Sequence, residues 1–107
     1  MGNYNGTKET FGHLTPNPAI YNTYPNIDFV VQRVGLFDTL MFDGYTMPYD
    51  ASNSDSNHIT FSVDLHPHKG VEYAYIEYFP ISDSIHYEYF RGELAESSGR
   101  SYFGKKQ

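Results

Sequence analysis

His58-Ile59-Thr60-Phe61-Ser62-Val63-Asp64-Leu65 is the stretch that decides the fold. Ile59, Phe61, Val63 and Leu65 alternate with His58, Thr60, Ser62 and Asp64. Strict period two is the signature of a strand with one buried and one wet face. Pro67 ends the run and Lys69-Gly70 turns the chain. Val71 to Phe79 and Ile85 to Arg91 read as two further strands, joined by Pro80-Ile81-Ser82-Asp83-Ser84 into a hairpin. Here the alternation is less clean, because rings fall on both parities. Val71, Tyr73, Tyr75 and Phe79 share one, and Ala74, Ile76 and Tyr78 share the other. Such strands are covered on both sides, or use one face for binding. An exposed Tyr73/Tyr75/Phe79 face would mark a binding surface or an oligomer contact.

Working outward, Ile27 to Val34 predicts a strand, and Leu36 to Phe42 a second strand or a short helix. Asp43-Gly44 is a turn signal. Met47 to Asn57, with Pro48, Asp50, Ser52, Asn53, Ser54, Asp55 and Ser56, reads as a loop. Gly92 to Ser98 suits one or two helical turns ended by Gly99, and Ser101 to Gly104 a short final strand. Pro16, Pro18 and Pro25 interrupt an Asn/Gly/Thr/Tyr-rich beginning. The expected organisation is an extended N-terminal arm over 1–26, a single β-rich domain over 27–104 and a short basic tail over 105–107. The expected fold is all-β, or a β-rich α+β variant. It would be an antiparallel sandwich or small barrel of about five to six short strands, with at most one short helix near 92–98.

The chain has 107 residues, enough for one domain with its own core. It lacks cysteine, which excludes disulfides and thiolate metal sites. No apolar run reaches the ~20 residues that span a bilayer as a helix. With no signal-peptide pattern at the start, the expected location is cytoplasmic or virion-associated. Net charge is -6, unevenly placed. Between Asp28 and Glu96 twelve acids face three bases, leaving -9 in that span, while Arg100, Lys105 and Lys106 close the chain. Such a field repels phosphate backbones and argues against direct nucleic-acid binding. Eleven Tyr and eight Phe with no Trp form the second anomaly. Tyr and Phe suit strands, and Tyr suits interfaces, having an apolar body and a polar tip.

Asp64-Leu65-His66-Pro67-His68, followed by Glu72, is the one metal-like arrangement. His-x-His with Glu four residues on resembles the first half of the cupin metal motif, over seven residues of this chain. The resemblance implies a divalent transition metal held by His66, His68 and Glu72 with His86 as the fourth ligand, in a small β-barrel. The chain departs from that pattern: Thr60 and Phe79 stand where glycines are expected, and Pro67 interrupts the strand. Asp50, Ser52, Asn53, Asp55 and Asn57 offer oxygens of the kind calcium takes, without EF-hand spacing. No Gly-x-Ser-x-Gly elbow and no phosphate-cradling glycine loop is present. Glu72, Glu77 and Glu88 on neighbouring strands offer the residue type of a glycosidase-type carboxylate pair, but as solvent-facing residues on tyrosine-flanked strands they need no special explanation.

The two anomalies combine in one expectation. An acidic, tyrosine-rich β surface, formed by Asp64, Glu72, Tyr73, Tyr75, Glu77, Tyr78, Tyr87, Glu88 and Tyr89, docks on another protein with a basic surface. The protein is then a non-enzymatic binder or inhibitor with no cofactor, no direct nucleic-acid contact and no membrane contact. A nucleic-acid-binding enzyme is the natural partner, as for anti-defence and immunity proteins, by analogy of charge and size. Two alternatives stand beside it: the cupin-like metal or ligand module, and a structural subunit of a virion or surface assembly, in which a homo-oligomer is expected.

Overall fold

The structure, a computed structural model, describes residues 2–35, 38–65 and 69–107. It is nearly all antiparallel strand. β1 (Gly2–Leu14), β2 (Ile20–Arg33), β3 (Thr39–Phe42) and β4 (Tyr45–Pro48) form one meander. β5 (Ile59–Asp64), β6 (Val71–Phe79), β7 (Ser84–Gly92) and β8 (Glu96–Lys106) form a second. The order across the single sheet is β4-β3-β2-β1-β8-β7-β6-β5. The outermost strands then approach each other: Tyr49 bridges Phe61, and the Asp50 N–H donates to the Thr60 carbonyl at 2.8 Å. Every strand thus neighbours the next in sequence, as in an up-and-down barrel that nearly closes.

The described residues therefore form eight strands, above the five to six expected from sequence. The two strands not expected are β1, in the stretch read as an arm, and β4, which overlaps the start of the expected Met47–Asn57 loop. Residues 1–26 read as an arm and 105–107 as a tail, yet Gly2–Leu14 and Glu96–Lys106 pair with each other at the centre of the sheet. Two of the three prolines fall in the turn between β1 and β2. Pro25 falls at a bulge, where Pro25 and Asn26 oppose Thr7 and Asn26 takes a φ of 57°. The short helix expected near 92–98 is absent. Glu93 instead closes a tight turn by donating its N–H to the Glu96 carbonyl at 2.7 Å, and β8 starts there. Leu36 and Phe37 lie outside the described residues; the strand expected over 36–42 is present from Thr39. β5, β6 and β7 match the sequence reading closely, and the β6–β7 hairpin pairs from Val71↔Gly92 to Phe79↔Ser84.

Period two assigns the faces. Phe29 and Val31 of β2, Phe61 of β5, Ala74 and Ile76 of β6, and Ile85, Tyr87 and Tyr89 of β7 are buried inside. Phe42 packs edge-on to Tyr87 and Tyr102 at 4.8 and 4.9 Å, which ties the β3–β4 hairpin to the opposite wall. The same hairpin turns at Asp43-Gly44, both at positive φ, the conformation of a two-residue type I′ turn. That turn aims the Asp43 carboxylate inward. It accepts from the Tyr87 hydroxyl at 2.7 Å and from Arg100 Nε. Arg100 also lies over the Tyr89 ring, 4.3 Å from its centroid.

β1 and β8 approach closely where Gly6 faces Gly104. A Cβ on Gly6 would lie 1.8 Å from the Phe103 carbonyl oxygen, and one on Gly104 would lie 2.9 Å from the Phe29 ring. Two predictions follow from these contacts. Gly6→Ala forces backbone apart at the sheet centre and is expected to cost ~3 kcal/mol in urea unfolding. Asp43→Ala strands the Arg100 charge and the Tyr87 hydroxyl and is expected to cost about 2–3 kcal/mol, with Tyr87→Phe much milder.

Candidate functional site

The outer face of the sheet is built in rows, because paired residues across antiparallel strands point the same way. One row runs Tyr21 (β2), Phe11 (β1), Gly99 (β8), Phe90 (β7), Tyr73 (β6) and Asp64 (β5). Its rings touch in sequence. Tyr21–Phe11 centroids are 6.1 Å apart, Phe11–Phe90 6.0 Å and Phe90–Tyr73 5.6 Å, with planes within 28° of parallel. Gly99 makes the row continuous. A Cβ there would meet Phe11 Cε1 at 2.7 Å, so only glycine lets Phe11 reach across β8 toward Phe90. Tyr73 also stacks on Tyr75 at 6.0 Å, Tyr75 meets His86 edge-on at 5.8 Å, and His86 leads to Phe103 at 6.3 Å.

The next row carries the charge: Thr23, Glu9, Ser101, Glu88, Tyr75 and Ser62. Tyr75 donates its hydroxyl to Glu88. Burial pushes the Tyr75 phenol above its ordinary range, and Glu88 pushes it further. The row beyond holds Phe103, His86, Glu77 and Thr60. Glu77 shares its carboxylate between His58 Nε2 at 2.6 Å and His86 Nδ1 at 3.0 Å. The carboxylates are thus held in place by ring partners rather than left on free side chains. Beside them, Asp50, Asn53, Thr60, Ser62, Tyr73 and Tyr75 line an open groove of about 610 Å³ between β5–β6 and the 3-10 turn Ala51–Asn53.

The nine residues expected on one surface divide by face. Asp64, Tyr73, Tyr75, Glu77 and Glu88 share the outer face. Glu72, Tyr78, Tyr87 and Tyr89 have the opposite parity and point inward. Tyr87 is fully buried and held by Asp43, and Tyr89 is buried and donates to Glu72. Those two tyrosines are core, which removes them from any docking surface. Sequence reasoning missed Phe11, Tyr21, Phe90 and Glu9 on the outer face. The signal for Phe90 was its parity with Glu88; Phe11 and Glu9 sit in the stretch read as an arm, and only the β1–β8 register brings them in.

The metal arrangement is not assembled by the described residues. Glu72 points inward and His86 outward, on opposite faces of the sheet, while His66 and His68 lie outside the described residues. Among the described residues no three His, Cys, Asp or Glu side chains group as a metal site. Asp50, the centre of the calcium-like loop, accepts from Ser52 at 2.7 Å, Asn53 at 2.8 Å and Ser62 at 3.1 Å. The Asn53 and Ser52 bonds hold its carboxyl down at about 2. The loop is tied by these bonds to the outer end of β5. No helix of the described residues is long and apolar enough to cross a membrane. No family model, curated protein or solved structure matches this chain.

Two pH dependences follow. Burial raises the Tyr4 phenol to about 12 and also raises Tyr87 and Tyr89. Each therefore keeps its proton in the folded state and loses it on unfolding above ~10. Their stabilisation is complete below the ordinary phenol value of ~10 and falls as pH rises through the folded values, by roughly 1.4 kcal/mol per pH unit for each group. Ultraviolet titration is expected to show Tyr4, Tyr87 and Tyr89 ionising only together with loss of circular dichroism. Asp50 has the opposite sign. Its lowered value gives stability above the ordinary carboxyl range that is lost as pH falls through about 2. Asp50→Asn is expected to be less stable than wild type at neutral pH and to converge with it at the acid end, read by thermal melts across pH.

Proposed function

We propose that this protein is a non-enzymatic binder that docks on a basic protein surface through the outer face of β1, β8, β7 and β6. The observation that carries the reading is a row of contacting rings beside a second row that carries Glu9 and Glu88. Phe11, Phe90 and Tyr73 supply apolar anchors of the kind that dominate binding energy. Glu9 and Glu88, with Asp64 at the end of the ring row, supply complementary charge that speeds encounter and fixes orientation. Carboxylates already held by Tyr75, His58 and His86 lose little freedom on docking, which favours affinity. Flat rings beside acids also suit arginine, whose guanidinium stacks on aromatic faces and pairs with carboxylates.

A basic groove that otherwise holds nucleic acid is the partner surface this chemistry fits best. The protein would then act as a block on a nucleic-acid-binding enzyme, in the manner of anti-defence or immunity proteins. The supporting chemistry is the overall charge of -6 concentrated between Asp28 and Glu96. A metal or ligand module draws less support, because Glu72 and His86 face opposite ways.

The test is affinity capture from the native source with wild type and with a Glu9→Lys/Glu88→Lys variant, followed by binding of the purified partner. Wild type is expected to hold a basic protein whose retention falls with salt across ~0.05–0.5 M, and the charge-reversed variant to lose it. Nucleic acid should compete for the same partner. Equal retention on both proteins, or capture of acidic partners alone, would sink the reading.

A further inference from the structure

β2 carries a second, separate surface. It pairs with β1 along Ile20 to Val31, but β3 reaches it only at Gln32 and Arg33. Among the described residues, the other edge of β2 is therefore unpaired over the Ile20–Tyr24 segment. Every second residue there turns its N–H and C=O to the open side. Sheet edges in monomeric proteins are usually blunted with charge, above all lysine. Here Ile20-Tyr21-Asn22-Thr23-Tyr24-Pro25-Asn26-Ile27 carries no charge at all. Three large side chains on it are exposed: Ile20 by 66%, Tyr21 by 74% and Tyr24 by 45%. The bulge at Pro25 and Asn26 limits the usable edge to the segment before it.

We infer that the Ile20–Tyr24 edge pairs antiparallel with the same edge of a second copy of this chain, forming a two-fold dimer. Three observations favour a second copy over an unrelated strand. Two copies of a -6 protein repel over most of their surface, and this segment is where they meet without like charges. The segment is also complementary to itself. With Asn22 on the two-fold axis, Ile20 lies opposite Tyr24 on the inner side and Tyr21 opposite Thr23 on the outer side. Asn22 then meets its own copy, and an amide both donates and accepts. Finally, Tyr21 ends the ring row of the outer face with one side of its ring uncovered. Across the axis the two Tyr21 rings become diagonal neighbours, within reach of each other. The ring rows of both copies then run as one band over the paired sheet.

The contact is small, so the dimer is reversible, with a dissociation constant on the order of 10–100 µM. The test is sedimentation velocity of the full chain over ~10 µM to ~1 mM, a range that brackets that constant. Wild type is expected to pass from monomer to dimer. Asn22→Lys sets like charges face to face at the axis and is expected to weaken association at least ~10-fold. Thr23→Lys should do the same, and circular dichroism melts should show both variants folded, because the segment is exposed. Tyr75→Phe, far from the edge on β6, should leave association unchanged. Wild type that stays monomeric at ~1 mM, or lysine variants that dimerise as wild type does, would overturn the inference. Neither result bears on docking of a basic partner, which uses the outer face of β1, β8, β7 and β6 and not the backbone edge of β2.

Discussion

One carboxylate keeps this barrel folded over itself. Asp43 sits at the tip of the β3–β4 hairpin in a backbone conformation that a type I′ turn requires, and it reaches across the interior to Tyr87 of β7 and Arg100 of β8. Among the described residues β3 pairs with β2 at two positions, so the hairpin depends on contacts with the opposite wall, of which the Asp43 bonds and the Phe42 packing are the central ones. With them, the hairpin becomes a wall, and Phe42, Leu40 and Met47 become core. The cost of partly burying this charge is met by a cation and a hydroxyl donating to it. The seam between Tyr49 and Phe61 then closes what the Asp43 contacts have brought into range.

That arrangement explains which parts of the fold were legible in the sequence. β5, β6 and β7 have regular alternation and clear Pro or Gly boundaries, so local pattern was enough. β1, β2 and β8 are built from residues that locally signal turns. Gly99 and Gly104 read as breakers of a helix or strand end, but the close crossing of Phe11 and Phe29 over β8 requires them. Pro25 reads as an end and is a bulge. These are demands made by neighbouring strands, and no window of the chain contains both parties.

The site shows the same division. Tyrosine is suited equally to a barrel interior and to a binding face, so residue type alone could not separate Tyr73 and Tyr75 from Tyr87 and Tyr89. Parity separated them within a strand. What parity could not give is the order of rows across strands, and the chemistry of the outer face resides in that order. A ring row beside a row that carries Glu9 and Glu88 is a property of register between β1, β8, β7 and β6. Of that pattern, Glu88, Phe90, Tyr75 and Tyr73 lie on strands recognisable beforehand, whereas Phe11 and Glu9 do not.

The pairing of β1 with β8 also sets the order in which the molecule can assemble. Each meander is a series of local hairpins that form early and cheaply, whereas β1 and β8 are the most widely separated neighbours in the sheet. Closing a loop of that length costs roughly 4 kcal/mol in chain entropy before any contact repays it. During synthesis, β1 to β4 must therefore wait as a half-sheet, with its inner face uncovered, until residues 96–106 arrive. Such topologies fold slowly, because non-local contacts must come together before the structure gains from them. In this protein the waiting edge of β1 is rich in glycine, asparagine and threonine, a composition that sticks poorly to other chains. The same residues that obscure β1 in the sequence protect it during that delay.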